Sequence, residues 1–155
     1  MDSALIISVV TLIALTVAVV TDLRGRTIPD SIPVGLVLLA LVATWLEWHP
    51  VSFAQLGLGL GVGFVLGLLL FQIGAMGGGD GKLCASLGAV CGLGGLLEVM
   101  FATALFGGLL SVLAKRRGES SLPYAPAFAL GFAATVAISR TSSARGLWSL
   151  ITEGR

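Results

Sequence analysis

Two aspartates interrupt a chain that is otherwise strongly apolar. Asp22 follows the uncharged run 3–21, and Asp80 lies within the glycine-rich segment 77–81. Ionisable groups at membrane depth are costly and mark candidate functional sites. Two carboxyl groups a few ångströms apart tend to share one proton, so that one serves as general base for water and the other as general acid. Such a pair predicts the chemistry of an aspartic protease.

Four glycines surround Asp80, and two of them, Gly77 and Gly79, form a Gly-x-Gly-Asp pattern with it. The cluster predicts flexible backbone at the membrane edge. Because glycine lacks a Cβ, we expect this loop to bring Asp80 close to an extended substrate strand. Lys82 follows two residues later and either biases the proton sharing or faces lipid phosphates.

A simpler interpretation treats both aspartates as solvated loop acids. Arg24 or Arg26 would then neutralise Asp22, and Lys82 would neutralise Asp80. Positions along the chain do not by themselves separate this interpretation from a catalytic pair.

The composition predicts the elements that must position these residues. Hydrophobic residues make up 56% of the 155 residues and charged residues only 11%, with a mean hydropathy of +1.03. Such a surface excludes an ordinary soluble domain. A net charge of +1 leaves no polybasic face for nucleic acid. We therefore expect one all-α integral membrane domain over residues 1–155, embedded in the lipid bilayer.

Uncharged runs separated by short polar breaks predict about six transmembrane helices in one bundle. The expected helices lie near 4–21, 31–48, 53–75, 83–96, 98–114 and 123–140. The boundary between the fourth and fifth rests only on Gly94, Gly95 and Glu98, where a tight hairpin is expected. Two rows of glycines at four-residue spacing, one of Gly59, Gly63 and Gly67 and the other of Gly57 and Gly61, predict close helix packing. Asp30 is expected to cap the second helix.

Alternating helices place the basic residues between helices 1 and 2, 3 and 4, and 5 and 6 on one side of the membrane. The positive-inside rule makes that side cytoplasmic and places the N-terminus outside. The chain is expected in the cytoplasmic (inner) membrane as a multi-pass protein. Its tail, 141–155, is expected to rest on the membrane surface.

No metal site or organic cofactor is expected from the residue types. Six residues lie between Cys84 and Cys91, a spacing that matches neither a zinc knuckle nor a redox CxxC pair. Both cysteines are therefore interpreted as packing residues. His49 has no second candidate ligand near it in the sequence.

Three segments carry a resemblance to a known family. Segment 76–83 (MGGGDGKL) resembles the Met-Gly-x-Gly-Asp-x-Lys-Leu signature of the type IV prepilin peptidases, a family of membrane aspartic proteases with a GxGD motif. Segment 22–30 (DLRGRTIPD) is similar to the motif in which an aspartate ends the first core helix before an Ile-Pro-Asn/Asp turn. Segment 122–131 (LPYAPAFALG) is similar to the opening of the last core helix. The three occur in the family's order.

The resemblance implies an aspartic endopeptidase that removes the short basic leader from prepilins or pilin-like precursors at the cytoplasmic membrane face. It implies Asp22 and Asp80 as the catalytic pair, with Gly77, Gly79 and Lys82 in the substrate-binding loop. The chain lacks the paired CxxC motifs of the large bifunctional members, so N-methylation is not expected. It looks like the short branch that serves tight-adherence (Flp) pili.

A non-enzymatic membrane protein is the competing interpretation, either a proton-coupled transporter or a scaffold subunit of a secretion system. Both would share the composition. A transporter would more naturally place an acid near the bilayer midplane than at helix ends. The residues do not identify the precursor or the oligomeric state.

Overall fold

Helices form all the regular structure in the described part of the chain. The computed structural model describes residues 3–25, 27–116 and 124–140. The helices are α1 Ser3–Gly25, α2 Ser31–Trp45, α3 Phe53–Gln72, α4 Gly78–Arg116 and α5 Ala125–Arg140. The predicted all-α architecture is confirmed, with ends that differ from the expected ones by a few residues.

The longest helix, α4, is a hairpin of two arms. Gly92 has φ 67° and ψ 179°, a backbone conformation that is essentially restricted to glycine. The Cys84 and Met100 sulfur atoms lie 3.5 Å apart, whereas sixteen residues of straight helix would separate them by about 24 Å. The chain therefore folds back at Gly92 and forms arms 78–91 and 93–116.

This hairpin accounts for the expected fourth and fifth helices but corrects their boundary. The predicted break at Gly94, Gly95 and Glu98 is wrong, because these residues continue the helix of the second arm. The chain reverses at Gly92, where the backbone packs beside the side chains of Val51 and Gln55. The hydropathy pattern put the predicted helix break near the charged residue Glu98, whereas the reversal of the chain requires a glycine, Gly92, at the tip of the hairpin.

Glycines join α3 to the first arm of α4, as the sequence predicts. A Cβ on Gly63 would lie 2.6 Å from the Cys84 carbonyl oxygen, and one on Gly67 would lie 2.6 Å from the Gly81 carbonyl oxygen. Gly59 contacts Gly88 in the same way. Glycines progressively closer to the C-terminus of α3 contact residues progressively closer to the N-terminus of α4. The two helices are therefore antiparallel, and their backbones are in direct contact.

The second arm of α4 packs against α5 with the same antiparallel sense. Gly131 of α5 contacts Thr103, and a Cβ on Gly107 would lie 3.6 Å from the Ala127 Cβ. Helix α1 contacts α2 and α5, and α2 contacts α4. The first arm of α4 lies at the centre of the bundle, and its residues 83–90 are all buried.

The outward faces of the helices are apolar, as a lipid-facing surface requires. Large side chains such as Ile13, Phe101 and Leu105 are more than half exposed. Three segments, Ser3–Gly25, Phe53–Gln72 and Gly78–Val112, are long and apolar enough to cross a membrane, and Ser31–Trp45 and Ala125–Ser139 are shorter apolar helices. Exposed apolar surface on this scale marks a membrane protein. The expected surface tail, 141–155, lies outside the described residues.

Candidate active site

Asp22 lies in the last turn of α1 and points into the bundle. It is 8% exposed. It continues the buried face of α1, whose members recur every three or four residues: Ile7, Thr11, Leu15, Ala18 and Asp22. Because this spacing follows one stripe of a helix, the same periodicity that buries the apolar residues also turns the carboxyl group inward.

Asp80 lies in the first turn of α4 and is also 8% exposed. The glycine segment around it was expected to be a loop, but the helix begins at Gly78, so most of the segment is helical. The Gly77 N–H donates a hydrogen bond to the Asp80 carboxyl group. An acid in the third helical position that accepts from the residue before the helix is half of a capping box, and it lies at the positive end of the helix dipole.

The structure places the two carboxyl groups at the same end of the bundle, within reach of an electrostatic interaction. Asp22 and Asp80 lie near enough for their negative charges to repel each other. Asp80 Oδ1 is buried and accepts no hydrogen bond from the described residues, while Oδ2 lies beside Gly77. Two acids from helices that are distant in sequence thus lie at the same end of the bundle, where α1 ends and α4 begins.

Lys82 does not neutralise Asp80, and the solvated-acid interpretation is wrong in this respect. Lys82 Nζ instead donates to Asp30 Oδ1 over 2.6 Å, and both side chains are more than half exposed. Asp30 was expected to cap α2, but its side chain makes no capping hydrogen bond. Its backbone has φ −61° and ψ −20°, which is helical rather than the extended conformation of a capping residue.

Gly79 provides a second contact between the two aspartate segments. A Cβ on Gly79 would lie 3.1 Å from the Ile28 Cβ, so the Ile28 side chain rests on the bare backbone of the first turn of α4. Ile28 also packs against the hydrophobic core. Sequence patterns did not single out Ile28 or the pairing of Asp30 with Lys82, although Ile28 and Asp30 both lie in the segment that resembles the family motif around Asp22.

The other singled-out residues lie away from this site. His49 and the tip of α4 are at the opposite end of the bundle, where His49 Nε2 lies 2.6 Å from the Val90 carbonyl oxygen. Cys84 is buried in the core and Cys91 is partly buried. Among the described residues, no group of three His, Cys, Asp or Glu side chains could hold a metal ion.

Comparisons with known proteins identify the family of this chain. Residues 9–112 match the model of the type IV leader peptidase family. A relative from Escherichia coli, named type 4 prepilin-like proteins leader peptide-processing enzyme, is 30% identical over 129 residues, which cover 79% of this chain and 48% of the relative. A prepilin leader peptidase/N-methyltransferase from Xanthomonas campestris pv. campestris is 34% identical over 120 residues, covering 70% of this chain and 42% of that protein.

No solved structure matches the chain significantly. The chain spans about half the length of the curated relatives it matches. The family match includes both Asp22 and Asp80 and extends over most of the helices that hold them. This chain belongs to the type IV leader peptidase family.

Proposed function

We propose that this protein is a membrane aspartic endopeptidase that removes the leader peptide from prepilins or pilin-like precursors. The observation that carries the proposal is that two buried acids, Asp22 and Asp80, lie at the same end of the bundle and interact electrostatically. The names of two relatives in the family point to prepilin leader peptides as the substrate class. The acids lie at helix ends, which suits a peptidase at the membrane surface better than a proton relay at the bilayer midplane.

The chemistry follows from a pair that holds one proton between its two carboxyl groups. The ionised carboxylate takes a proton from water while the water oxygen attacks the peptide carbonyl carbon. The protonated carboxyl group gives its proton to the carbonyl oxygen. When the tetrahedral intermediate collapses, the C–N bond breaks and the leaving amine takes the proton that the first carboxylate received. The second carboxylate takes back a proton from a hydroxyl group of the intermediate, which restores the pair.

The residues around Asp80 support this use of the pair. Asp80 is buried near Asp22, and its carboxyl group accepts a hydrogen bond from the Gly77 N–H at the positive end of α4. We assign Gly77, Gly79 and Lys82 to the start of α4 that borders the bound substrate.

The location follows from the same geometry and from charge. We place the protein in the cytoplasmic membrane, with the end that carries Asp22 and Asp80 facing the cytoplasm and the N-terminus outside. Arg24 and Lys82 lie at that end, which the positive-inside rule assigns to the cytoplasm. The proposed substrates are precursors of the tight-adherence (Flp) type, and we expect cleavage without N-methylation.

The test is co-expression with candidate prepilins, following precursor size by immunoblot. We expect wild-type protein to remove the leader and Asp22→Asn or Asp80→Asn to lower the cleavage rate by about 100-fold or more, because each removes one partner of general acid–base catalysis. Glu98→Gln is the matched control, since Glu98 is an exposed acid on the second arm of α4. Normal cleavage by either aspartate variant, at normal membrane levels, would refute the proposal.

A further inference from the structure

Two contacts join the α1–α2 connection to the first turn of α4. The apolar one places the Ile28 side chain on Gly79, and the ionic one joins Asp30 to Lys82 over 2.6 Å. Asp80 lies between Gly79 and Lys82 in the chain, and the connection follows directly after the helix end that carries Asp22. The two contacts therefore link the segments that hold the two catalytic acids.

The ion pair contributes little to folding. Its side chains are 54% and 67% exposed, and exposed ion pairs stabilise a protein by less than about 1 kcal/mol because water screens the charges. A catalytic site is more sensitive, since a displacement of about 1 Å between reacting groups can lower the rate by about 100-fold. A weak contact at this position can thus matter for catalysis while it matters little for stability.

We propose that Asp30 and Lys82 are positioning residues whose ion pair holds the α1–α2 connection against α4 and so keeps Asp22 and Asp80 in register for catalysis. This inference rests on the proposed peptidase function. The Ile28 contact with Gly79 fixes how closely the segments approach, and it has no directional preference. The ion pair fixes how the α1–α2 connection is aligned along α4, because the Lys82 ammonium group must meet the Asp30 carboxylate at one place along the connection.

A different role for the pair would be direct recognition of charged groups on the precursor. The two roles differ in what a charge exchange does. If the residues bind only each other, exchanging them preserves the pair. If they bind the precursor, exchanging them places each charge opposite the wrong partner.

The experiment measures initial cleavage rates of a purified prepilin by the detergent-solubilised protein. The variants are Asp30→Lys, Lys82→Asp, the double exchange, and the milder Asp30→Asn and Lys82→Gln. Arg116→Gln is the control, because it removes an exposed cation near the same end of the bundle without touching the pair. Thermal unfolding of each variant reports whether the fold is intact.

We expect each single charge reversal to lower kcat by about tenfold with KM nearly unchanged, and the neutral variants to lower it less. The double exchange should recover most of kcat, and thermal unfolding should change little. Unchanged kcat in the single variants would overturn the inference. So would a double exchange that stays impaired with a raised KM, which indicates precursor recognition. If wild-type protein does not cleave, the proposed function itself fails.

Discussion

At the scale of single residues, the site depends on two acids that are buried although they lie at helix ends. Asp22 faces inward because it continues the apolar stripe of α1. Asp80 is buried because it lies in the first turn of α4, the central helix. An aspartate in either place would normally turn toward water. Their burial and mutual repulsion are the features that a functional role explains and a solvated surface does not.

The close contact of Gly79 with Ile28 predicts a specific sensitivity to an added methyl group. In Gly79→Ala the new Cβ would lie 3.1 Å from the Ile28 Cβ, so the α1–α2 connection must shift away from Asp80. We expect a fall in cleavage rate of about tenfold or more. Gly78→Ala is the matched control, because its Cβ would meet the Phe71 ring at an ordinary 3.6 Å. Equal rates for the two variants would contradict this explanation.

His49 predicts a dependence of stability on pH at the other end of the bundle. The Val51 N–H donates to Nδ1 and Nε2 lies 2.6 Å from the Val90 carbonyl oxygen, an arrangement that suits the neutral ring. Burial lowers the pKa of His49 below its usual 6.5, although the hydrogen bond to Val90 opposes the shift. The unfolded chain therefore takes up a proton at a higher pH than the folded chain does.

It follows that this contribution to stability is complete above about pH 6.5 and is lost as the pH falls toward the lowered pKa of the folded state. We expect His49 to lower the thermal unfolding midpoint of the wild-type protein at about pH 5 relative to about pH 7.5, in addition to the effects of all other groups. His49→Gln should show a smaller difference. The comparison is clean because the chain has a single histidine, and an identical pH response in both proteins would argue against the assignment.

At the scale of elements, packing of α3 on the first arm of α4 sets where Asp80 lies. The contact uses one face of α3, with Gly59, Gly63 and Gly67 against the α4 backbone, whereas Gly57 and Gly61 have open space around them. Both rows have four-residue spacing in the sequence. Only the first row is an interface, so spacing predicted a ridge without showing which row forms it.

This difference between the rows can be tested by adding a methyl group to each. Gly63→Ala places a Cβ 2.6 Å from the Cys84 carbonyl oxygen, and backbone must move to accept it. Such overpacking costs about 1–3 kcal/mol, so we expect a lower thermal unfolding midpoint in detergent. Gly61→Ala meets nothing within 4 Å and should leave the midpoint unchanged or slightly higher. A Gly63→Ala protein as stable as wild type would show that the helices are not in this contact.

At the scale of the whole molecule, the order of the helices gathers the functional residues at one end. The α1–α2 and α3–α4 connections, the end of α4 and the start of α5 all lie at the end that carries Asp22 and Asp80, because the packed helix pairs are antiparallel. The opposite end carries the α2–α3 connection with His49 and the hairpin tip at Gly92. The bundle is therefore polarised, with chemistry at one end and structural contacts at the other.

This polarity predicts the orientation in the membrane. Thr27 and Trp48 are exposed residues at opposite ends of the bundle. A membrane-impermeant thiol reagent applied from outside the cell should label Trp48→Cys and not Thr27→Cys, because the basic end is expected to be cytoplasmic. The unsubstituted chain reports background labelling of Cys84 and Cys91. Labelling of Thr27→Cys from outside would reverse the proposed orientation.

The sequence by itself determined the all-α membrane fold and the two candidate acids. Long uncharged runs can satisfy their backbone groups in lipid only as helices, and Asp22 and Asp80 stand out because ionisable groups are rare beside such runs. The family resemblance rested on local segments around the same two residues. These inferences succeed because each depends on composition or on residues that are close together in the chain.

Only the tertiary structure decided which residues meet. It placed the α4 reversal at Gly92 rather than at Gly94–Glu98, paired Lys82 with Asp30, and selected one of two glycine rows for packing. Each outcome depends on groups that are far apart in sequence, such as the 52 positions between Asp30 and Lys82. Local periodicity is the same for every one of these alternatives, so the choice among them follows from which helix faces can approach most closely.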